Sequence, residues 1–375
     1  MPARQSIRRA AAPSNQARLT GLSAHAYRIP TSSPEADGTI DWDSTTLVAV
    51  HAEAAGQRGF GYSYASRAAV EVIKDTMKEA LAGMDALDTP ACWQAMRRAV
   101  RNMGRPGIAA TAISAVDNAL WDLKGKIFGQ PLIALLGAAR ARIPVYGSGG
   151  FTTYGPKQIQ EQIEGWKAQG IWQFKIKIGR DERQDRRRIA AAVEALPEDG
   201  KLFVDANGAY HPREALQMAH FMADNPIAWF EEPVSSDDIP GLAFLRRHAP
   251  PAIAIAAGEY SYDLDDSRQL LEAEAVDVLQ IDATRCLGIT GFLKATALAE
   301  AYHRPISAHC APSIHAALCC HAIDATHVEY FWDHARIEQK LFDGAPQVKD
   351  GCLTPTDAPG LGLTFKEKDA ERFAV

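Results

Sequence analysis

Three acids, Asp205, Glu231 and Glu259, each close a short apolar run: "KLFVDANG", "IAWFEEP" and "AIAIAAGE". They are spaced by about one β/α unit, so adjacent parallel strands would set them side by side. One such acid is ordinarily a solvated loop residue. Three in register repel one another unless a cation or protons intervene. An all-oxygen set points to a hard ion, and Mg2+, one per subunit, fits best because it takes a few carboxylates and keeps positions for water and substrate. A second stretch, "QFKIKIG", places Lys175 and Lys177 on one face of a buried strand. An ammonium beside a cation in a partly dry pocket is expected to lose basicity, which suits Lys177 to act as a base near neutral pH. His309 ends another run, and Asp282, ending the run before it, is placed to orient the imidazole. A lone histidine in a strand is more often a packed core residue; the registered aspartate weighs against that.

These residues need elements to aim them. From about residue 143, eight short apolar runs, "IPVYG", "QFKIKIG", "KLFVDANG", "IAWFEEP", "AIAIAAGE", "AVDVLQID", "PISAHC" and "HVEYF", alternate with amphipathic segments. That rhythm predicts a (β/α)8 TIM-like barrel, whose strand tips collect the site. Strand-like pieces such as "TTLVAVHAEA" come before it. They precede "GIAATAISAVDNALWDLKGKIFG", a helix closing in Gly125 and Gly129. The organisation expected is a disordered leader over 1–17, an α+β capping domain over 18–142, the barrel over 143–330, and a segment over 331–375 that returns to the capping domain.

The totals exclude several classes. The net charge of −6 and the lack of a basic stripe argue against nucleic-acid binding. No apolar run approaches a membrane span. Six cysteines without a CxxC predict reduced, mostly buried thiols in a cytoplasmic protein. The arginines near the N-terminus lack the apolar core of a signal peptide. "HCAPSIHAALCCHAID" crowds cysteines and histidines, but its spacing fits no standard zinc finger, and buried small residues account for it better.

The set "KIK" at 175–177, "VDAN" at 204–207, "FEEP" at 230–233, "GE" at 258–259, "ID" at 281–282, "SAH" at 307–309 and Glu329 resembles the enolase superfamily, mandelate racemase subgroup. The likeness spans roughly residues 18–375 and implies the enolase-type barrel with its capping domain. It implies that Asp205, Glu231 and Glu259 bind Mg2+, that Lys177 works on one face of the substrate and the His309–Asp282 dyad on the other. By the same likeness Lys175 steadies Lys177 or a substrate carboxylate, and Asn207 and Glu329 touch the substrate. Ile281 stands where the family often has proline, and "CLG" follows where a Gly-Gly pair is common. "PTSSPEADGTIDWDS" is expected to replace the family's glycine-rich specificity loop.

The implied chemistry is removal of the proton α to a carboxylate. Dehydration of an acid sugar, an aldonate or aldarate, to a 2-keto-3-deoxy acid is the outcome favoured. Racemisation or epimerisation of a 2-hydroxy acid, lactone cycloisomerisation, and a non-catalytic sugar-acid-binding barrel are the alternatives. The expected partners are a small carboxylate substrate and further copies of the chain, from dimer to octamer. Tyr146 and Ser148, at the end of the first strand, either line the pocket or pack the barrel. Arg105 either reaches a distal carboxylate from the capping domain or ends a surface helix. "GFGYSY" at 59–64, through Tyr62 or Tyr64, and "WDH" at 332–334 are candidates for the lid and the pocket mouth.

Overall fold

The structure, a computed structural model, describes residues 17–375, so the expected leader lies, apart from Ala17, outside the described residues. Three antiparallel strands begin the fold: β1 (Gly21–Ala36), β2 (Asp41–Ala54) and β3 (Gln57–Tyr64). Ala55 and Gly56, both at positive φ, turn β2 into β3, the backbone that a two-residue hairpin requires. Gly59 and Gly61 let β3 lie directly on the helix Ile108–Phe128, since a Cβ at Gly61 would meet the Ala119 nitrogen at 2.2 Å. That helix runs through Gly125 and stops at Gly129, whose φ of 63° ends it.

The segment expected as a loop in place of a glycine-rich one is mostly strand. β1 continues to Ala36 and β2 starts at Asp41, with a register break between Pro30 and Glu35. Pro30 and Pro34 are tolerated because β1 is an edge of its sheet, where a missing N–H breaks no ladder.

The next eight strands are β4 (Ile143–Gly149), β5 (Gln173–Lys177), β6 (Lys201–Asp205), β7 (Ile227–Glu231), β8 (Ala254–Ala257), β9 (Val278–Ile281), β10 (Ile306–Ala308) and β11 (Ala325–Phe331). They are parallel neighbours in chain order, and β11 pairs with β4 to close the barrel. Residues alternate between two environments. Phe174, Ile176, Val204, Phe230 and Ile281 pack outward in the main core under the helices. Tyr146, Phe203 and Trp229 form a separate interior cluster. Two positions further along their strands, and therefore above that cluster, stand Ser148, Asp205 and Glu231.

The last residues tie both parts together. Cys352–Leu353 pairs antiparallel with the start of β4, Phe365 stacks on Phe60, and the Val375 N–H donates to the Ala26 carbonyl at 3.1 Å. All six cysteines are free and only Cys352 is not buried. No helix among the described residues is long and apolar enough to cross a membrane.

The capping helix is docked by polar contacts. Its Ser114, Asn118 and Asp117 accept from the N–H groups of Gly288, Ile289 and Thr290, the first turn of the helix Gly288–Ala301. Those N–H groups have no intrahelical partners, so the capping helix satisfies them. Asn118 also donates to the Tyr62 and Ala283 carbonyls. Asn118→Leu would strand these three buried groups at about 1–3 kcal/mol each. Urea unfolding should show a loss of at least about 3 kcal/mol; a loss within about 0.5 kcal/mol would refute the dock.

Candidate active site

Register decides who meets whom. Lys177 lies opposite Asp205 across β5 and β6, and Asp205 lies opposite Glu231 across β6 and β7. Glu259 follows β8 by two residues. One oxygen from each of Asp205, Glu231 and Glu259 lies within 4.8 Å of the others, and all three residues are buried. Lys177 Nζ donates to Asp205 Oδ2 at 2.5 Å. Lys175 Nζ, fully buried, reaches both Glu231 oxygens at 2.7 and 2.8 Å and Glu329 Oε1 at 2.7 Å. Lys175 thus anchors carboxylates rather than Lys177. Trp229 Nε1 and Ser148 Oγ complete this layer, donating to Glu231 at 3.0 Å and Glu329 at 2.6 Å.

On the other side His309 Nδ1 pairs with Asp282 Oδ2 at 2.8 Å. The other Asp282 oxygen accepts from the Thr284 N–H and hydroxyl, which locks the carboxylate. His309 Nε2 lies 3.2 Å from Glu259 Oε2 and 3.3 Å from Cys310 Sγ. Arg285 Nη1 stands 3.3 Å from Glu259 Oε1, and its Nε 3.7 Å from Asp282.

The electrostatics follow from burial against pairing. Burial and Asp205 push the Glu231 carboxyl well above the usual range. Burial would also raise Glu259, but His309 and Arg285 hold it well below. Asp282 is held low in the same way by His309. Lys177 was expected to lose basicity. Burial does pull it down, but Asp205, Glu259 and Glu231 outweigh that and raise it. Charge on these three carboxylates therefore sets the basicity of Lys177, and a cation shared among them would weaken their hold on it.

The donor set fits such an ion. Its three acids offer only oxygens, and the adjacent Glu232 Oε1 is buried without a hydrogen-bond partner. Six buried carboxyls, Asp205, Glu231, Glu232, Glu259, Asp282 and Glu329, face four cationic groups, Lys175, Lys177, Arg285 and His309. Carboxyls thus outnumber cationic groups here, an imbalance that a divalent ion among Asp205, Glu231 and Glu259 would reduce.

Lys177, Asn207, Glu259, His309 and Glu329 line one cleft of about 340 Å3, open to solvent and roofed by the β1–β2 hairpin. Asn207, at φ 46°, turns a buried Oδ1 with no partner toward this region. Tyr64 and His334 line it too, stacked at 3.4 Å, whereas Tyr62 is fully buried against Glu338.

For two residues with alternative readings, the structure takes the one away from the cleft. Tyr146 is wholly buried in the interior cluster and receives a hydrogen bond from Gln280, one layer below the cleft. Arg105 sits beside Asp263, 3.8 Å away, outside the cleft wall. The histidine–cysteine stretch divides: His309 and Cys310 meet Glu329, whereas His315 bonds the Cys310 carbonyl and the Ala283 N–H, and His321 the Gly137 carbonyl. Sequence reasoning missed Arg285, Cys310 and Trp42 in the wall. Arg285, three residues after Asp282 at a strand tip, was the one with a readable signal.

Comparison with known proteins gives the same architecture. Residues 28–137 match the family described as "Mandelate racemase / muconate lactonizing enzyme, N-terminal domain", and residues 158–369 the one described as "Enolase C-terminal domain-like". The chain is 35% identical over 318 residues to L-talarate/galactarate dehydratase of Salmonella typhimurium LT2, covering 84% of this chain and 78% of that one. A mandelate racemase/muconate lactonizing enzyme-like protein from Rubrobacter xylanophilus superposes with TM-score 0.93 at 46% identity, covering 96% and 100% of the two chains. A racemase from Streptomyces coelicolor A3(2) with bound magnesium superposes with TM-score 0.90 at 30% identity, covering 95% and 100%.

Lys175→Met would leave Glu231 and Glu329 buried without their shared ammonium. The expected cost is about 3–5 kcal/mol by chemical denaturation. A cost below about 1 kcal/mol would show that this layer does not depend on it.

Proposed function

Because the chain belongs to the mandelate racemase/muconate lactonizing enzyme family of the enolase superfamily, we propose that it removes the proton α to the carboxylate of an acid sugar and expels the β-hydroxyl as water, leaving a 2-keto-3-deoxy acid. The observation that carries this reading is the pairing, in one cleft, of an ammonium on β5 with a carboxylate-oriented imidazole after β10, on either side of three convergent acids.

In this reading Asp205, Glu231 and Glu259 hold Mg2+, as the donor set and the magnesium-bound relative support. When bound, the ion supplies positive charge to the substrate carboxylate as electron density moves onto it. Lys177 takes the α proton from one face. His309, its Nδ1 hydrogen held by Asp282, carries a proton on Nε2 to the departing hydroxyl on the other face. Lys175 and Glu329 keep the floor rigid, and Asn207 orients the substrate. Residues 18–142 and 331–375 supply the wall that faces the strand tips of the barrel of 143–330.

A racemase reading shares the first step. If no β-hydroxyl lies within reach of His309, the imidazole returns a proton to the α carbon instead. The racemase relative keeps this reading in view.

In deuterated buffer with Mg2+, acid sugars should exchange or lose the α proton by NMR and yield a keto acid. Lys177→Ala should slow abstraction at least about 100-fold, and His309→Asn should stop dehydration while leaving exchange through Lys177. Full turnover by either variant would refute its assigned role. Chelation should abolish the reaction and Mg2+ restore it; chelator-resistant turnover would remove the ion from the scheme.

A further inference from the structure

The two ends of the cleft differ in charge. Its cationic side chains gather at the strand tips: Lys177 on Asp205, Arg285 on Glu259, and His309 between Asp282 and Glu259. The facing wall comes from the β1–β2 hairpin and the end of β3. It is lined by Ser44, Thr45, Thr46, Ser66 and Trp42, and by Asp37, whose Oδ1 accepts from the Thr39 N–H and hydroxyl and the Ile40 N–H of its own turn. No lysine or arginine among the described residues lines that wall. Two guanidiniums close to the hairpin are already engaged by carboxylates and main-chain carbonyls. Arg180 pairs with Asp41 at 2.8 Å and donates to the Asp37 carbonyl, while Arg336 pairs with Asp333 and donates to the Pro30 carbonyl at 2.8 Å. His334 completes the wall stacked on Tyr64, and burial holds its pKa well below the usual value, so it brings no charge.

A carboxylate placed against this wall would lose water and meet no lysine or arginine lining it, a costly exchange. A primary hydroxyl would both donate to and accept from the wall's hydroxyls. The contrast matters because acid sugars come as pairs that differ only at the far carbon, CH2OH in the aldonate and COO− in the aldarate.

From this wall we infer that the substrate is a monocarboxylic sugar acid, bound with its hydroxylated end against the β1–β2 hairpin, and that the matching diacid is rejected. The inference rests on the reading above for which end of the substrate meets the three acids. It assigns discrimination to a hydroxyl-lined wall without a lysine or arginine of its own, more than to shape.

The test uses matched aldonate–aldarate pairs of the same configuration with the Mg2+-loaded full chain. Keto-acid release gives kcat/KM, α-proton exchange is followed in deuterated buffer, and calorimetry gives Kd. The best aldonate should exceed its aldarate by at least about 100-fold in kcat/KM. An aldarate used as well or better overturns the inference. If no member of any pair exchanges or reacts, the catalytic reading falls, and Kd alone decides. A tighter aldonate then sustains the inference, while equal affinity, a tighter aldarate or no binding of either overturns it.

Discussion

A barrel that buries six carboxyls around its strand tips depends on where the positive charge comes from. Water cannot supply it, since Asp205, Glu231, Glu259 and Glu329 are all essentially inaccessible. The structure divides the work. Lys175 neutralises the floor by bridging Glu231 and Glu329, Lys177 faces Asp205, and Arg285 and His309 face Glu259 and Asp282. What remains uncompensated lies among the three acids that converge. Strand register makes this arrangement possible. Because β5, β6 and β7 align Lys177, Asp205 and Glu231 in one row, a slip of one residue would swing all three into the apolar layer under the helices.

The same constraint separates chemistry from recognition. Strand tips hold groups whose positions are fixed by barrel hydrogen bonds on both sides. The roof comes from a hairpin whose placement depends on a few side-chain contacts. Trp42 donates to Glu35, Thr45 to Asp333, and Trp332 to Ser32. Such contacts can change with sequence without disturbing the floor. A rigid charged floor under an exchangeable polar roof allows one proton-abstraction device to serve different substrates.

Much of the floor was legible in the sequence because the period of a strand is two. Once "KIK", "VDAN" and "FEEP" are placed on parallel strands, inward direction and mutual distance follow. The eight runs gave the barrel for the same reason. What could not be read lay outside that periodicity. Tyr146 belongs to a strand tip by position, but the pleat puts it one layer low, with Phe203 and Trp229, and Ser148 takes the higher place. Pro30, Pro34 and Gly38 read as loop formers, yet an edge strand with a register break accommodates the prolines. Arg105 looked free to reach inward, but the distance from its helix end to the cleft is set by a fold that no local pattern encodes. Arg285 and Cys310 entered the site through loops, where backbone at positive φ, as at Cys310, aims side chains in ways spacing does not predict.

If Asp205, Glu231 and Glu259 form a single divalent-cation site, each must contribute to binding the ion. Calorimetric titration of the full chain with Mg2+ tests it directly. One ion per chain should bind in the unaltered protein, and Asp205→Asn, Glu231→Gln and Glu259→Gln should each weaken binding by about 100-fold or more. Binding of equal affinity in all three variants, or none in the unaltered protein, would contradict the account.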